Sequence, residues 1–226
     1  MNVIVFASRK GGSGKSTLAA HLAALVHRSS RSCLLIDADP QSSLTLWHRL
    51  RGTGEPPLRD GTRGVSDIVR AARRERYEWV FIDTPPNRSP VVADAIRAAT
   101  LVVIPARPTI FDLTAVQETI DLARDGGKPY MVVLNSAPAK RDAVDSPIVA
   151  RAREGLAGLK VPVWAGQITN RANFALALAA GEGAREFDPE SQAAAEISRL
   201  WSAIQKSVGV INNAYEGART VHRAAA

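Results

Sequence analysis

The sequence predicts an α/β fold in which a doubly wound, mostly parallel sheet is flanked by helices. Two observations support this prediction. Short apolar runs alternate with segments of helical periodicity along most of the 226 residues, and the runs are almost continuously apolar, as in parallel strands that are covered on both faces. Strands that alternate with helices are joined by right-handed crossovers, which produces a doubly wound sheet.

Six apolar runs are the predicted strands, and six periodic segments are the predicted helices. The strands are Val3–Ala7, Cys33–Asp37, Trp79–Asp83, Leu101–Pro105, Tyr130–Asn135 and Val161–Ile168. The helices are Lys15–His27, Val65–Glu75, Pro90–Ala99, Leu113–Arg124, Pro147–Leu159 and Pro189–Val208. The last helix has Pro and Glu near its start and Lys206 in its final turn, as helix boundaries favour.

Two segments are predicted to lie outside this regular pattern. Arg51–Gly64 is rich in Gly, Pro and Arg and is expected to be an exposed loop. The chain after Gly209 is expected to be frayed. We therefore predict one domain over residues 1–208 and a C-terminal tail over residues 209–226.

The composition indicates a globular protein with an anionic partner. Hydrophobic residues make up 46% of the chain, and the net charge of +7 with a sequence pI of about 10.1 favours nucleic acid or an acidic membrane surface. Cys33 is the single cysteine, which excludes an internal disulfide and a cysteine-based metal site. No secretory signal or membrane-spanning run is visible, so we expect a cytoplasmic location.

The stretch RKGGSGKST at residues 9–17 has the context of a phosphate-binding loop, since a strand precedes it and a helix follows. Its glycines allow backbone N–H groups to surround phosphate oxygens, Lys15 can reach the β- and γ-phosphates, and Ser16 can bind Mg²⁺. However, Arg9 stands where the usual pattern has its first glycine, and a second lysine, Lys10, follows it. The alternative interpretation is a glycine turn that only starts a helix. The predicted nucleotide-binding residues here are Gly11, Gly12, Ser13, Gly14, Lys15, Ser16 and Thr17.

Aspartates follow two further predicted strands. Asp37 and Asp39, in LLIDADPQSS, lie at or just beyond the carboxyl end of a strand, where open α/β sheets bind ligands. Asp39 is alternatively a helix N-cap with Pro40 at the first helical position. Asp83 ends the apolar run WVFID and can hold Mg²⁺ through water, or alternatively cap the exit of the strand.

KGGSGKST, DADPQSS and FIDTPP, in this order and spacing, resemble the deviant-Walker ATPases of the ParA/MinD group. Three later stretches, VVIPARPTIFDLTAV, VVLNSAP and GQITNRANFALALAAGEG, extend the resemblance over roughly residues 1–207. It implies an ATP- and Mg²⁺-dependent ATPase. Ser16, Asp37 and Asp83 would hold Mg²⁺ and its waters, Asp39 would position the attacking water, and Asn135 would lie on the adenine side. Asn135 is alternatively a turn residue at the end of its strand.

The resemblance gives Lys10 a role in a second subunit, where it would reach the nucleotide of the partner. Two ATP molecules that face each other repel strongly, and one lysine from each monomer offsets this repulsion. The expected active species is therefore a two-fold symmetric dimer that encloses two ATP molecules. No arginine is evident as an internal arginine finger, so we expect slow intrinsic hydrolysis that a ParB-like or adaptor protein stimulates.

Within the group, the sequence favours a small ParA-type positioning ATPase that binds nonspecific DNA and is associated with the nucleoid. We expect no N-terminal DNA-binding extension, because Lys10 lies close to the start of the sequence. We expect no membrane association, because the tail is poor in large apolar residues. The alternative is a MinD-like, membrane-recruited ATPase. By resemblance, Lys140, Arg141 and Arg171 contact DNA; a rival patch, or simply a solvated face, is formed by Arg70, Arg73 and Arg74.

Overall fold

The computed structural model describes residues 1–27 and 32–224 and contains a six-stranded sheet in which every strand pair is parallel. The strand order is β3-β2-β4-β1-β5-β6. The strands are β1 (Asn2–Phe6), β2 (Cys33–Asp37), β3 (Leu58–Asp60), β4 (Trp79–Asp83), β5 (Leu101–Ala106) and β6 (Tyr130–Leu134). Helices connect these strands and cover both faces of the sheet, so the predicted fold class is confirmed.

The helices within the described ranges are α1 (Lys15–Val26), α2 (Ser43–Arg51), α3 (Ser66–Arg74), α4 (Pro90–Ala98), α5 (Ile110–Asp125), α6 (Pro147–Gly158), α7 (Ala172–Ala179), α8 (Ala184–Phe187) and α9 (Gln192–Ala224). Local sequence explains two of the starts. The side chain of Ser89 caps α4, whose first residue is Pro90, and the side chain of Thr109 caps α5. No helix among the described residues combines the length and apolarity that crossing a membrane requires.

The core consists of two layers, one on each face of the sheet, because side chains alternate along every strand. Val3 and Val5 of β1 pack into the layer beneath α3, α4, α5 and α6. Ile4 and Phe6 of the same strand pack into the opposite layer, beneath α1, α2, α7 and α9. Burial on both faces is the reason that these strands are almost continuously apolar in sequence.

The predicted strand Val161–Ile168 is wrong. This segment runs beside β6, but only isolated bridges form, one of them between Val132 and Val163. Pro162 has no N–H to donate, and the chain turns around Gly166 before it returns to bond Leu134 through the N–H of Ile168. A continuous ladder is therefore interrupted.

The Arg51–Gly64 segment is not a simple loop, because it contains β3. Leu35 and Asp37 of β2 pair in register with Leu58 and Asp60. Prolines at residues 56 and 57 hid this strand in the sequence, but β3 is an edge strand, where a missing N–H is tolerated.

Helix α9 continues past Gly209 to Ala224, so the helical tail differs from the frayed one that we expected. Val208 is 3% exposed and Ile211 packs against the core, which stabilises the helix across the glycine. The side chain of Asn212 donates to Oδ1 of Asn2 at 3.1 Å. Residues 225 and 226 of the predicted tail lie outside the described residues, and the division of the chain at residue 208 stays a prediction.

Candidate nucleotide-binding site

Three neighbouring strands end level with one another and bring their loops to one edge of the sheet. Asp83 at the end of β4 is in register with Phe6 at the end of β1 and with Asp37 at the end of β2. The loops after these strands contain the three sequence motifs, which are far apart along the chain. The parallel sheet therefore assembles them at its carboxyl edge, where open α/β sheets bind ligands.

The glycine-rich loop is shaped by positive backbone angles and by Asn135. Gly12 and Gly14 have φ values of 71° and 99°, which side-chain-bearing residues rarely adopt. A Cβ at Gly14 would collide with the side-chain amide of Asn135, whose Nδ2 donates to the carbonyl oxygen of Ser13 at 2.6 Å. Asn135, which is 3% exposed, directly follows β6, and this hydrogen bond therefore connects the end of the strand to the loop.

The N-terminus of α1 is open to an anion. Its N-cap is Gly14, which offers no side-chain hydrogen bond, and the first turn contains no acidic residue. The first N–H groups of the helix and its partial positive charge are therefore available to an anionic ligand. A Cβ at Gly11 or Gly12 would meet no atom of the described chain within 4 Å, so this side of the loop is accessible.

Lys15 is a buried cation that faces carboxylates. It is 6% exposed, and its Nζ donates to the carbonyl oxygen of Ser8 at 3.3 Å. Burial lowers the pKa of Lys15, while the nearby Asp83 and Asp39 act in the opposite direction. An ammonium has three donors, so a group with one long hydrogen bond has capacity for a further acceptor.

Asp83 is fully buried, and neither of its carboxylate oxygens has a hydrogen-bond partner within the described chain. Burial raises the pKa of Asp83 to about 7; the hydroxyl of Ser16 and the charge of Lys15 oppose this shift, and Asp37 and Asp39 add to it. The Ser16 hydroxyl faces the carboxylate without reaching hydrogen-bonding geometry. A buried carboxylate without partners favours a bound cation or a water shell.

Asp37 is held by a residue that the sequence analysis missed. Its Oδ2 accepts hydrogen bonds from the N–H and the hydroxyl of Thr45 at 2.9 and 2.7 Å, and its Oδ1 accepts from the N–H of Asp39 at 3.3 Å. Thr45 lies in α2, which the sequence analysis did not assign as a helix. Without that helix, no signal connected Thr45 to Asp37.

The interpretation of Asp39 as a helix cap is wrong. Helix α2 begins at Ser43 with Ser42 as its N-cap. Asp39 instead closes a local turn, since its Oδ1 accepts from the N–H of Gln41 at 3.0 Å. It is 8% exposed and lines the cavity above the glycine-rich loop.

Two adjoining cavities cover the loop. The larger has a volume of about 400 Å³ and is lined by Gly11, Gly12, Gly14, Lys15, Ser16, Thr17, Ala20, Asp39, Gln41, Ser43, Leu44, Trp47, Pro86 and Leu178. The smaller has about 230 Å³, includes Asn135 and Phe174, and shares Gly12, Gly14 and Thr17 with the first. One extended ligand could therefore place an anionic end over α1 and an apolar end beside Asn135. Lys10 lines neither cavity. The hydroxyl of the fully buried Ser13 has no hydrogen-bond partner in the part of the chain that the structure describes.

The residues present fit a magnesium ion that phosphate and water help to coordinate. No group of three or more His, Cys, Asp or Glu side chains in residues 1–27 and 32–224 is arranged to hold a metal by itself. Mg²⁺ keeps several waters and binds through one or two carboxylates together with phosphate oxygens. The unpartnered carboxylate of Asp83 beside Ser16 meets this requirement.

The predicted DNA-contacting cations are largely paired within the chain. Lys140 forms an ion pair with Asp145 at 2.7 Å, and Arg171 forms one with the buried Glu196 at 3.1 Å. Arg141 is exposed. In the rival patch, Arg70 pairs with Asp67, while Arg73 and Arg74 are exposed on α3.

The chain matches the family model described as the CobQ/CobB/MinD/ParA nucleotide binding domain over residues 4–225. The maintenance of carboxysome distribution protein A of Gloeobacter kilaueensis is 31% identical over 88% of this chain and 95% of that protein. The chromosome-partitioning ATPase Soj of Thermus thermophilus is 31% identical over 58% of this chain and 66% of that protein. In fold, the septum site-determining protein MinD of Pyrococcus horikoshii, complexed with Mg-ADP, covers 93% of this chain and 98% of its own at 18% identity, with a TM-score of 0.72.

The matched residues include the glycine-rich loop and both aspartate motifs. The sheet of this chain brings all three to its carboxyl edge, as described above. The chain therefore belongs to the CobQ/CobB/MinD/ParA nucleotide-binding family, as a P-loop ATPase of the ParA/MinD type.

Proposed function

We propose that this protein is a positioning ATPase that forms a dimer around two ATP molecules, binds nonspecific DNA in that state and is released by partner-stimulated hydrolysis. The relatives named above are partition and positioning proteins, which supports this class of function. The observation that carries the proposal is the contrast between the two lysines of the loop. Lys15 is buried at the candidate phosphate site, whereas Lys10 lies outside both cavities.

The difference in environment supports separate roles for Lys10 and Lys15. Lys15 is buried and lines the cavity. Lys10 is half-buried, lines neither cavity, and its ammonium group has no acidic partner within the described ranges. A cation without an internal role is available to an anion outside the monomer. A second ATP across a two-fold axis supplies such an anion and gives each lysine an equivalent role.

The remaining site residues would have separate roles in ATP binding and hydrolysis. Lys15 and the first N–H groups of α1 would bind the phosphates, and Asn135 would hold the loop beside the adenine end. Mg²⁺, held by Ser16 and Asp83 with Asp37 behind them, would neutralise charge that develops on the β- and γ-phosphate oxygens. Asp39 lines the same cavity and would orient the attacking water. Hydrolysis would remove the phosphate that Lys10 of the partner subunit binds, and the dimer would open.

The test is the oligomeric state with a non-hydrolysable ATP analogue, measured by sedimentation velocity. We expect the wild-type protein to dimerise with the analogue and not with ADP. Lys10→Ala should stay monomeric while it retains analogue affinity within about threefold, because Lys15 is intact. Lys206→Ala, which removes one exposed cation on α9, is the matched control and should dimerise. A wild-type protein that stays monomeric at all analogue concentrations would contradict the proposal.

A MinD-like, membrane-recruited ATPase is the second candidate. The sequence predicted a frayed tail, whereas α9 continues to Ala224, and a helical tail supports this candidate better than a frayed one does. Helical tails with apolar side chains can lie in a membrane interface. Val210 and Tyr215 are 64% and 56% exposed on this helix. Co-sedimentation of the ATP-loaded protein with plain DNA and with anionic vesicles separates the candidates. Binding to vesicles and not to DNA would reverse their order.

A further inference from the structure

Helix α5 holds the segment of the phosphate loop that immediately precedes Lys10. The backbone N–H of Arg9 donates to Oγ1 of Thr119 at 3.2 Å, across 110 positions of sequence. Nε of Arg9 also forms an ion pair with Oε2 of Glu118 at 2.6 Å. Adjacent side chains of one helix therefore contact both the backbone and the side chain of one loop residue.

The hydroxyl of Thr119 can act only as an acceptor for Arg9. Thr119 is 1% exposed, and its single hydroxyl hydrogen is donated to the carbonyl oxygen of Ala115 at 2.9 Å. The remaining lone pairs accept the N–H of Arg9. A backbone N–H that loses its only partner away from water destabilises that conformation, so this contact restricts where the loop can lie.

The ion pair between Arg9 and Glu118 contributes less. The two side chains are 32% and 54% exposed, and Nε of Arg9 lacks an aligned hydrogen bond despite the short distance. Exposed pairs stabilise weakly because water screens them. The pair does explain the residue that departs from the usual loop pattern: the first glycine of that pattern could not form it, and Arg9 is not among the residues with positive φ that would require glycine.

The next residue has a fixed backbone and a free side chain. The N–H of Lys10 donates to the hydroxyl of Ser8 at 3.4 Å, while its ammonium has no acidic partner within the described ranges. An anchored backbone fixes the position of Cα and the direction of the Cα–Cβ bond, and the flexible stem of Lys10 extends from there. The contacts at Arg9, one residue earlier, therefore set the point from which the ammonium reaches outward.

We infer that Thr119 and Glu118 are positioning residues for Lys10, so that α5 determines where its ammonium is presented to a second copy of this chain. The inference rests on the proposed function for the partner of Lys10, but the anchoring of the loop is independent of it. Thr119 acts through the backbone of Arg9, and Glu118 through its side chain. Neither residue lines either of the two cavities over the loop.

The chain offers a matched control for Thr119. Thr114 lies on the same helix, and its hydroxyl donates to the carbonyl oxygen of Ile110 at 3.1 Å, which is the same bond within the helix that Thr119 makes to Ala115. Thr114 is exposed and contacts no part of the loop through its hydroxyl. Thr119→Val and Thr114→Val therefore lose the same local bond, and only the first loses the contact with Arg9.

The first measurement is amide hydrogen exchange over residues 8–11 without nucleotide. Thr119→Val should exchange there about fivefold faster than the wild type, as expected for the loss of one hydrogen bond of ordinary strength. Thr114→Val should match the wild type. Equal exchange in the two variants would overturn the inference, whether or not the protein dimerises.

The second measurement separates positioning from nucleotide binding. Thr119→Val should weaken dimerisation with the ATP analogue roughly fivefold and leave analogue affinity in the monomer unchanged, because Lys15 is untouched. The exposed Glu118→Ala should have a smaller effect in the same direction, and it provides the test if the buried valine variant does not fold. The double variant Arg9→Glu/Glu118→Arg, which exchanges the two charges, should recover the dimerisation affinity that either single change loses.

The outcomes distinguish the two proposals. If Lys10→Ala abolishes dimerisation while Thr119→Val, Glu118→Ala and Thr114→Val all dimerise as the wild type does, the inference is overturned and the proposed function stands. If the wild type never dimerises but Thr119→Val alone loosens residues 8–11, the proposed function fails and the anchoring by α5 is supported.

Discussion

Asp37, Asp39 and Asp83 have identical side chains, and the fold places them in three different environments. Asp37 is fixed by Thr45, Asp39 closes a turn at the cavity wall, and Asp83 is buried with no hydrogen-bond partner among the described residues. Environment assigns the chemistry of a carboxylate, since burial and neighbours decide which form is stable and which ligand it can accept. At the residue scale, Asp39 is the one of these three aspartates that lines the cavity above the loop.

Replacing Asp39 should separate binding from hydrolysis. Asp39→Asn keeps an oxygen for the N–H of Gln41 but lacks the negative charge that orients a water, so we expect ATP hydrolysis to fall by about 10²–10⁴-fold. Binding of a fluorescent ATP analogue should change by less than about threefold. Pre-steady-state phosphate release measures the first quantity and anisotropy the second. Asp60→Asn, which changes an exposed carboxylate at the edge of the sheet, is the control. Normal turnover of Asp39→Asn would exclude the proposed role.

His21 on α1 makes folding stability depend on pH. It is 1% exposed, and its Nδ1 accepts the N–H of Ala184 at 3.0 Å. Burial lowers the pKa of His21 to about 4; the backbone of Phe174 and the charge of Glu186 oppose this shift. The native state therefore stays neutral at His21 while the unfolded state binds a proton below pH of about 6.5. Stability from this group is complete above that pH and is lost progressively down to about pH 4.

The prediction is a difference between two titrations of stability. Between pH 7 and pH 5, the free energy of unfolding of the wild type should fall by about 2 kcal/mol relative to that of His21→Asn, which keeps an acceptor without a titrating ring. Asp83, whose raised pKa acts in the opposite direction over this range, contributes equally to both chains and cancels. Urea unfolding at several pH values provides the measurement. Parallel curves for the two proteins would contradict the buried, neutral histidine.

At the element scale, helices α2 and α9 illustrate how tertiary contacts override local sequence. Helix α2 lacks a strong N-cap, since Ser42 has a left-handed backbone and makes no side-chain cap bond. It is held instead by Trp47, which is 4% exposed and whose Nε1 donates to the carbonyl oxygen of Glu182. Packing of one face, rather than intrinsic propensity, supplies most of the stability of such a helix.

The packing of α9 on either side of Gly209 can be tested with a matched pair of valines. Val208→Ala should lower the free energy of unfolding by about 1–3 kcal/mol, because Val208 is 3% exposed and its methyl groups pack in the core. Val210→Ala, at a position that is 64% exposed, should change it by less than about 0.5 kcal/mol. Chemical denaturation of both variants measures the two changes in the free energy of unfolding. Equal, small effects would indicate that the helix does not pack as described.

At the scale of the whole molecule, the chain has a net charge of +7, but some of the cations that are expected to bind DNA already form ion pairs within the chain. Lys140 and Arg171 are paired with carboxylates, whereas Arg141 is exposed. DNA binding at this surface would compete with those internal pairs, so it should be weak in the monomer. Placing two copies side by side in a dimer would strengthen it, because the contacts add on one duplex.

We expect Arg141→Glu to weaken binding of the ATP-loaded protein to plain duplex DNA by at least about tenfold at 0.1 M salt. The plot of log affinity against log salt should become shallower by about 0.9 for each phosphate contact that is lost. Arg151→Glu, an equal change of charge on an exposed position of α6, is the control. An unchanged slope for Arg141→Glu, together with weakened binding by Arg73→Glu/Arg74→Glu, would move the surface to α3.

The sequence by itself determined the fold class and five of the six strands of the described sheet, and it predicted which residues form the phosphate loop. Continuous apolar runs reveal strands that are buried on both faces, and Gly14-Lys15-Ser16 is constrained by the chemistry of a phosphate. These features are local, so one stretch of chain contains the whole signal. The edge strand β3 and helix α2 escaped detection because their stability comes from neighbours that are distant in sequence.

Only the tertiary structure decided which side chains hold one another. The contacts of Thr45 with Asp37, of Asn135 with Ser13 and of Thr119 with Arg9 join residues that no pattern connects. It also removed the cap interpretation of Asp39 and showed that two expected DNA cations are paired with acids. The physical reason is the same in each case: a hydrogen bond or ion pair depends on atoms within a few ångströms, and the order of the residues along the chain does not specify that proximity.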